Sequence, residues 1–291
     1  MVVKNVDYGE IITSSIDMMK KNVILFVPNI LMVLVSILLL TIFIHGSGIV
    51  EMFAMRPYLI EDTTALRSAF ASMSTSARFI ISLTVFIIGE MLIGAFFAVM
   101  KFGMIRDVIK KKKTSLRSGA DFAEKNYFNY LVIHLVSMAI IFLPLFVLLF
   151  VYLLIVSTTE YVTLGAFMLG IFAIVWVAYA ILMTIRLFFV YPTMTFEKEK
   201  YLKSISKEFH FVKTHMGHTF ISFLIVTIVV FGFAIVREGV EIVGFTVSGI
   251  TILAILAFIT TIMEILITTW EHIFVFKSYE ERRHLDKLTK K

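Results

Sequence analysis

Six stretches of this chain are too long and too apolar to be dissolved in water, and they constrain the fold more than any other feature. Val23–Ile44, Phe79–Met100, Phe128–Val156, Tyr161–Tyr191 and His218–Val236 are near-continuous apolar runs, and a sixth lies within Val243–Phe276. The first alone supplies about 33 Å of helix, enough to cross a hydrocarbon core. Backbone groups in lipid must satisfy one another, so runs of this length read as helices. The expected fold is all-α: a polytopic membrane protein with six transmembrane helices, forming a single domain over residues 1–291.

Composition supports a lipid solvent. Of 291 residues, 59% are hydrophobic and 29 are Phe, while only 16% are charged, and those bunch between the apolar runs. A water-soluble core of this size has no room for so much apolar side chain. The net charge of +6 comes with no aromatic-basic nucleic-acid motif, so no nucleic-acid partner is expected. No cysteine is present, which excludes disulfides, thiolate chemistry and cysteine-ligated metals. Asp7, Glu10 and Asp17 precede the first apolar run and no small-residue cleavage site follows it, so that run is expected to remain in the mature protein.

Lys and Arg are distributed unevenly. With the N-terminus inside, 23 of the 27 fall in segments 1–22, 101–127, 186–217 and 277–291. That asymmetry predicts cytoplasmic N- and C-termini in a multi-pass protein of the cell (plasma) membrane. The 45–78 connection is the longest. Asp62 is an expected N-cap there, before Leu66, Ala69, Phe70 and Met73 at helical spacing. Pro144 is an expected kink in the third span.

Three charged segments share one pattern. Ile12, Ile16, Met19 and Val23 repeat their spacing as Leu116, Ala120, Ala123 and Tyr127, and again as Ile205, Phe209, Val212 and Met216. Each set continues into a membrane span, with Asn22, Asn126 or His215 just before entry. The offsets are 104 and 89 residues. The chain therefore reads as three units, about 7–101, 108–191 and 195–280. Each would be an amphipathic helix on the cytoplasmic face followed by a membrane hairpin. Because each unit crosses twice, the three repeats are parallel.

The segment from Arg186 to Phe220 resembles a signature of prokaryotic, especially archaeal, six-helix membrane proteins related to the membrane domain of glycerophosphodiester phosphodiesterases. Arg186 leaves a helix, Pro192 and then Glu197 follow, and Leu202–Lys213 is the basic amphipathic helix. Ser204 matches the small residue of that pattern, but Glu208 stands where it usually has Ser or Thr. The resemblance implies six-helix topology and no catalytic residues, since the phosphodiesterase chemistry of fused members resides in a separate soluble domain.

Few residues remain as candidates for chemistry. Glu90 falls deep in the second span, where ionisable groups are costly and often functional, and Gly89 and Gly94 beside it permit close helix approach. Glu264 and Glu271 are seven apart on the sixth helix and share a face, with Arg186 an expected partner at the inner boundary. His134 is expected to hydrogen-bond between helices. His210, His215 and His218 lack the spacing and carboxylate of a metal site. Lys110, Lys111, Lys112 and Lys113 form a run suited to anionic lipid headgroups. No GxxxxGK[ST], HExxH or GxSxG motif occurs, and no nucleophile is paired with a base, so neither an enzyme nor a cofactor is expected. The leading expectation is a non-enzymatic membrane scaffold or accessory that contacts lipids, a membrane-protein partner or further copies of itself. The alternative is a transporter or channel for a small solute, ion or lipid that uses Glu90, and more remotely a membrane enzyme acting on lipids.

Overall fold

The computed structural model describes residues 6–55, 63–158, 162–197, 201–246 and 250–289, and among these every regular element is helical. The helices are α1 (Tyr8–Lys21), α2 (Val27–Gly46), α3 (Ile49–Met55), α4 (Thr63–Ser74), α5 (Ala77–Lys111), α6 (Leu116–Thr158), α7 (Val162–Arg186), α8 (Val190–Glu197), α9 (Leu202–Thr214), α10 (Met216–Thr246) and α11 (Ile250–Thr289). A 3₁₀ turn, Val23–Phe26, joins α1 to α2. Six segments are long and apolar enough to cross a membrane: the turn with α2, then α5, α6, α7 with α8, α10 and α11.

Local chemistry sets the helix ends. Asp7 caps α1 by accepting the Glu10 N–H at 3.1 Å, and Ser76 caps α5 by accepting that of Phe79 at 3.2 Å. Lys112, at φ 58°, ends α5 in a left-handed turn. At the opposite end of the bundle, Arg78 donates to the carbonyls of Gly46 (2.7 Å) and His45 (3.0 Å) and pairs with Glu51. It thereby occupies carbonyls that α2 leaves unpaired at its C-terminus.

Helices adjacent in sequence pair in space: α2 packs on α5, α6 on α7, and α10 on α11. Gly89 and Gly94 allow the first pairing, since a Cβ on either would meet Leu39 at 3.3 Å or Met32 at 2.8 Å. The α5–α6 crossing rests on Gly103 and Gly119. A Cβ on Gly103 would lie 2.7 Å from Phe122, and one on Gly119 would lie 2.6 Å from Met104.

Side chains of the spans point mostly outward. Leu38, Phe128, Ile174 and Phe258 are 59–71% exposed, whereas the buried core gathers at the basic end of the bundle around Phe102, Phe189, Phe274 and Phe276. Phe102 is the hub of that core. Its ring lies 5.1 Å from Phe276, 5.2 Å from His272, 5.4 Å from Tyr191 and 5.8 Å from Tyr130.

Several expectations are corrected. The second charged segment is not a separate surface helix, because α6 runs unbroken from Leu116 to Thr158 and merges it with the third span. Pro144 lies inside the continuous α6, and the Tyr179 hydroxyl donates to the Ile140 carbonyl (2.8 Å), which the proline cannot engage. The fourth apolar helix ends at Arg186 rather than Tyr191, and Leu187–Phe189 turn the chain into α8. Beyond Lys277 the charged tail continues α11 to Thr289. Asp62 lies outside the described residues, although α4 forms after it, with Ala69 on its buried side.

The buried line of the three charged segments keeps the expected Ala123, Ile205 and Val212 and otherwise shifts by one residue towards the N-terminus. Ile11 and Ser15 are buried in α1, Gly119 and Ala123 in α6, and Ser204, Ile205, Glu208 and Val212 in α9. Ser15, Gly119 and Glu208 occupy the same position under the offsets of 104 and 89 residues. Small or hydrogen-bonded residues face the neighbouring helix because they permit the closest approach. Val23, by contrast, is 67% exposed.

Candidate functional site

Glu90 stands where α2, α5 and α11 enclose a cavity of about 460 Å³. Ser36 on α2 donates to Glu90 Oε2 at 3.0 Å, while Oε1 is buried and has no hydrogen-bond partner. Asn29, Thr261, Glu264 and Thr268 add the other polar groups of the lining.

On α11, Glu264, Thr268 and Glu271 follow one another at i, i+4 and i+7, which stacks them on one face. Glu264 and Thr268 belong to this first cavity and also to a second, of about 220 Å³, between α10 and α11. Arg237 of α10 borders the second cavity, with Nη1 3.8 Å from Glu264. Glu271 lines the second cavity and also a third, of about 230 Å³, bounded by α6, α11 and the turn into α8. In that third chamber His134 Nδ1 lies 2.9 Å from the Tyr191 hydroxyl. Ser137 Oγ is buried there without a partner, beside the buried His272. Unpaired buried polar atoms are costly, and they mark places where a guest or water completes the bonding.

Beside this line sits Lys101, only 4% exposed. Its ammonium donates to Asn29 Oδ1 at 2.8 Å, and Asn29 Nδ2 donates onward to Thr269 Oγ1 at 2.8 Å. Glu271 is the carboxylate whose charge acts on Lys101. A buried lysine within an apolar helix needs such partners to remain.

Glu90, Glu264, Glu271 and His134, singled out from sequence, thus fall along one line of cavities. Arg186 does not join them. It is exposed at the end of α7, and the guanidinium that reaches Glu264 belongs to Arg237. Lys111, Lys112 and Lys113 are exposed at the basic end, far along α5 from Glu90, while Lys110 places its ammonium 5.2 Å from the Phe196 ring. The histidines have separate partners: His215 contacts Asp286 at 2.8 Å, His218 receives the Tyr8 hydroxyl at 2.9 Å, and His210 is exposed. Burial holds the His215 imidazole below its ordinary value despite the opposing pull of Asp286. Among the described residues, no group of three or more His, Asp or Glu is placed to hold a metal ion.

Sequence reasoning missed Lys101, Asn29, Ser137, Arg237 and His272. Lys101 reads as the first residue of a basic loop. The contrary signal is that Phe102, Met104, Ile105 and Val108 continue the apolar pattern beyond it.

A second buried acid closes the turn into α8. Glu208 of α9 is fully buried; Oε1 accepts the Phe189 N–H at 2.8 Å and Oε2 the Thr193 hydroxyl at 2.9 Å. Burial pushes its carboxyl up to about 8, against the two hydrogen bonds, which act to lower it.

Helical throughout, with six helices long and apolar enough to cross a membrane, the chain belongs to the class of multi-pass helical membrane proteins. Comparison with family models, curated proteins and solved structures returns no match.

Proposed function

We propose that this protein is a carrier of the cell membrane, moving a small solute, ion or lipid along the interior line from Glu90 to His134. The observation that carries this reading is that three cavities succeed one another along α11 and share lining residues, Glu264 and Thr268 between the first and second and Glu271 between the second and third. Ionisable residues facing such cavities within apolar helices are typical of ion and proton paths. The basic end, with both termini, faces the cytoplasm, as the concentration of Lys and Arg there suggests.

Three parallel hairpin units make up the proposed architecture: α2 with α5, α6 with α7, and α10 with α11. In support, the segment opening each unit packs on the end of a hairpin's second helix. The start of α6 lies on α5, α9 lies on α7 and α8, and α1 returns to α11. The ring of contacts therefore closes on itself, as expected of a threefold repeat. No enzymatic step is assigned to the protein.

The test is flux. Full-length protein is reconstituted in vesicles enclosing a pH-sensitive dye, and decay of an imposed proton gradient is followed. Wild type is expected to accelerate the decay, with Glu271→Gln and Glu90→Gln each slowing it by about tenfold. Wild-type vesicles that behave like protein-free vesicles would remove the proton-linked carrier. A second reading, an accessory protein held on anionic headgroups, draws on the exposed Lys111–Lys113 surface. It predicts binding to anionic vesicles that is unchanged by Glu271→Gln.

A further inference from the structure

The polar cavity at Glu90 does not end in a polar wall. Between α2 and α11 a second space of about 680 Å³ adjoins it, lined by apolar side chains except for Thr261. Leu34, Ile37, Phe258, Ile262 and Leu266 on its lining are all more than one-third exposed, so the cleft opens at the apolar surface of the bundle. Val33, Ile37, Thr261 and Ile265 line both spaces. One junction therefore joins a lipid-like cleft to a chamber containing Ser36, Glu90 and Glu264.

We infer that this junction is the binding site of a single-chain amphiphile with a primary-amine head, its alkyl chain in the α2–α11 cleft and its ammonium at Glu90. The inference rests on the carrier reading for its transport consequence and specifies the class of substrate. Charge complementarity selects the head. The polar cavity is lined by two carboxylates and by no Lys or Arg. Arg237 already faces Glu264 from the α10 side, and the nearby Lys101 ammonium is held by Asn29. Glu90 keeps one buried oxygen without a donor, and an ammonium supplies the missing hydrogen bonds. An anionic head would instead meet two acids and no cation.

The α2–α11 packing makes lateral entry feasible. These helices touch far less extensively than α2 and α5 do, so residues 26–37 and 257–266 leave a gap rather than a seam. A ligand site of this kind combines an apolar enclosure with a few convergent polar groups, and both volumes fall in the usual range of about 300–1,000 Å³.

Native mass spectrometry of the full-length protein tests the inference, with oleylamine, oleyl alcohol and oleic acid supplied at equal concentration. Wild type is expected to retain oleylamine at least about tenfold over the other two. Ile37→Trp, which fills the junction, and Glu90→Gln, which removes the charge, should each lower the amine adduct by about tenfold. Ile174→Trp on the exposed face of α7 should leave it unchanged. If Ile37→Trp fails to yield folded protein, Ile265→Trp fills the same junction. Equal retention of the three probes, or retention indifferent to both junction and charge, overturns the inference. Proton flux separates the two proposals: flux without amine binding removes only the amphiphile, while amine binding without flux removes the carrier and leaves the site.

Discussion

The Glu208 carboxyl group accepts the backbone N–H of Phe189 at 2.8 Å, across the turn where α7 gives way to α8. The same side chain accepts the Thr193 hydroxyl with its other oxygen, so one residue of α9 fixes both the turn and the start of α8. Glu208 is fully buried, and its carboxyl is raised from 4.5 to about 8. The folded state therefore holds a proton that the unfolded state has already released. Stability from this group is greatest below about 4.5, falls as pH rises towards about 8, and is level beyond that. Thermal unfolding at about pH 5.5 and pH 8.5 should show this decline in wild type, worth up to a few kcal/mol. Glu208→Gln, which keeps an acceptor for Phe189 without the ionisation, should flatten it.

Removing the partner of a buried ammonium should cost more than removing the ammonium. Asn29→Leu leaves Lys101 without its 2.8 Å acceptor and is expected to destabilise by about 3–5 kcal/mol. Lys101→Met leaves the Asn29 carbonyl unpaired and takes the neighbouring cation from Glu271, at about 1–3 kcal/mol. Equilibrium unfolding of the two variants decides the order.

Gly119 separates packing from helix propensity. Gly119→Ala would place a Cβ 2.6 Å from Met104 Cγ and is expected to cost about 1–3 kcal/mol, despite the better helix former. Gly217 has nothing within 4 Å of its would-be Cβ, so Gly217→Ala should be neutral or stabilising by up to about 1 kcal/mol. Melting temperatures of the pair are a direct comparison.

Tyr179 compensates for proline. Its hydroxyl occupies the Ile140 carbonyl, four residues before Pro144, and Trp176 Nε1 reaches the neighbouring Ile141 carbonyl at 3.2 Å. Tyr179→Phe should cost about 1 kcal/mol. In a Pro144→Ala background the restored N–H serves the same carbonyl, so the cost should shrink. A double-mutant cycle measures the difference, and a full cost in both backgrounds would separate Tyr179 from the proline.

The legible part of the candidate site was the part that apolar surroundings expose. Glu90 stands out because it interrupts a long apolar run, and Glu264 and Glu271 because helical periodicity puts them on one face. Arg186 is exposed at the end of α7, and the guanidinium near Glu264 is that of Arg237, a placement that depends on where α7 ends. The turn at Leu187–Phe189 is held by Glu208, 19 residues further along the chain from Phe189. Glu208 itself appeared only as a departure from a motif.

Sequence by itself determined that the chain forms long apolar helices, where most of them lie, and which segments carry the positive charge. Those properties follow from local composition and from the requirement that backbone groups in lipid pair within their own helix. Tertiary structure alone decided that the second charged segment fuses with α6, that Lys101 is buried against Asn29, and that α2 and α11 leave an apolar cleft beside Glu90. Each of these depends on side chains brought together from distant parts of the chain. Asn29 and Thr269, bonded at 2.8 Å, are 240 residues apart, a separation to which no local pattern is sensitive.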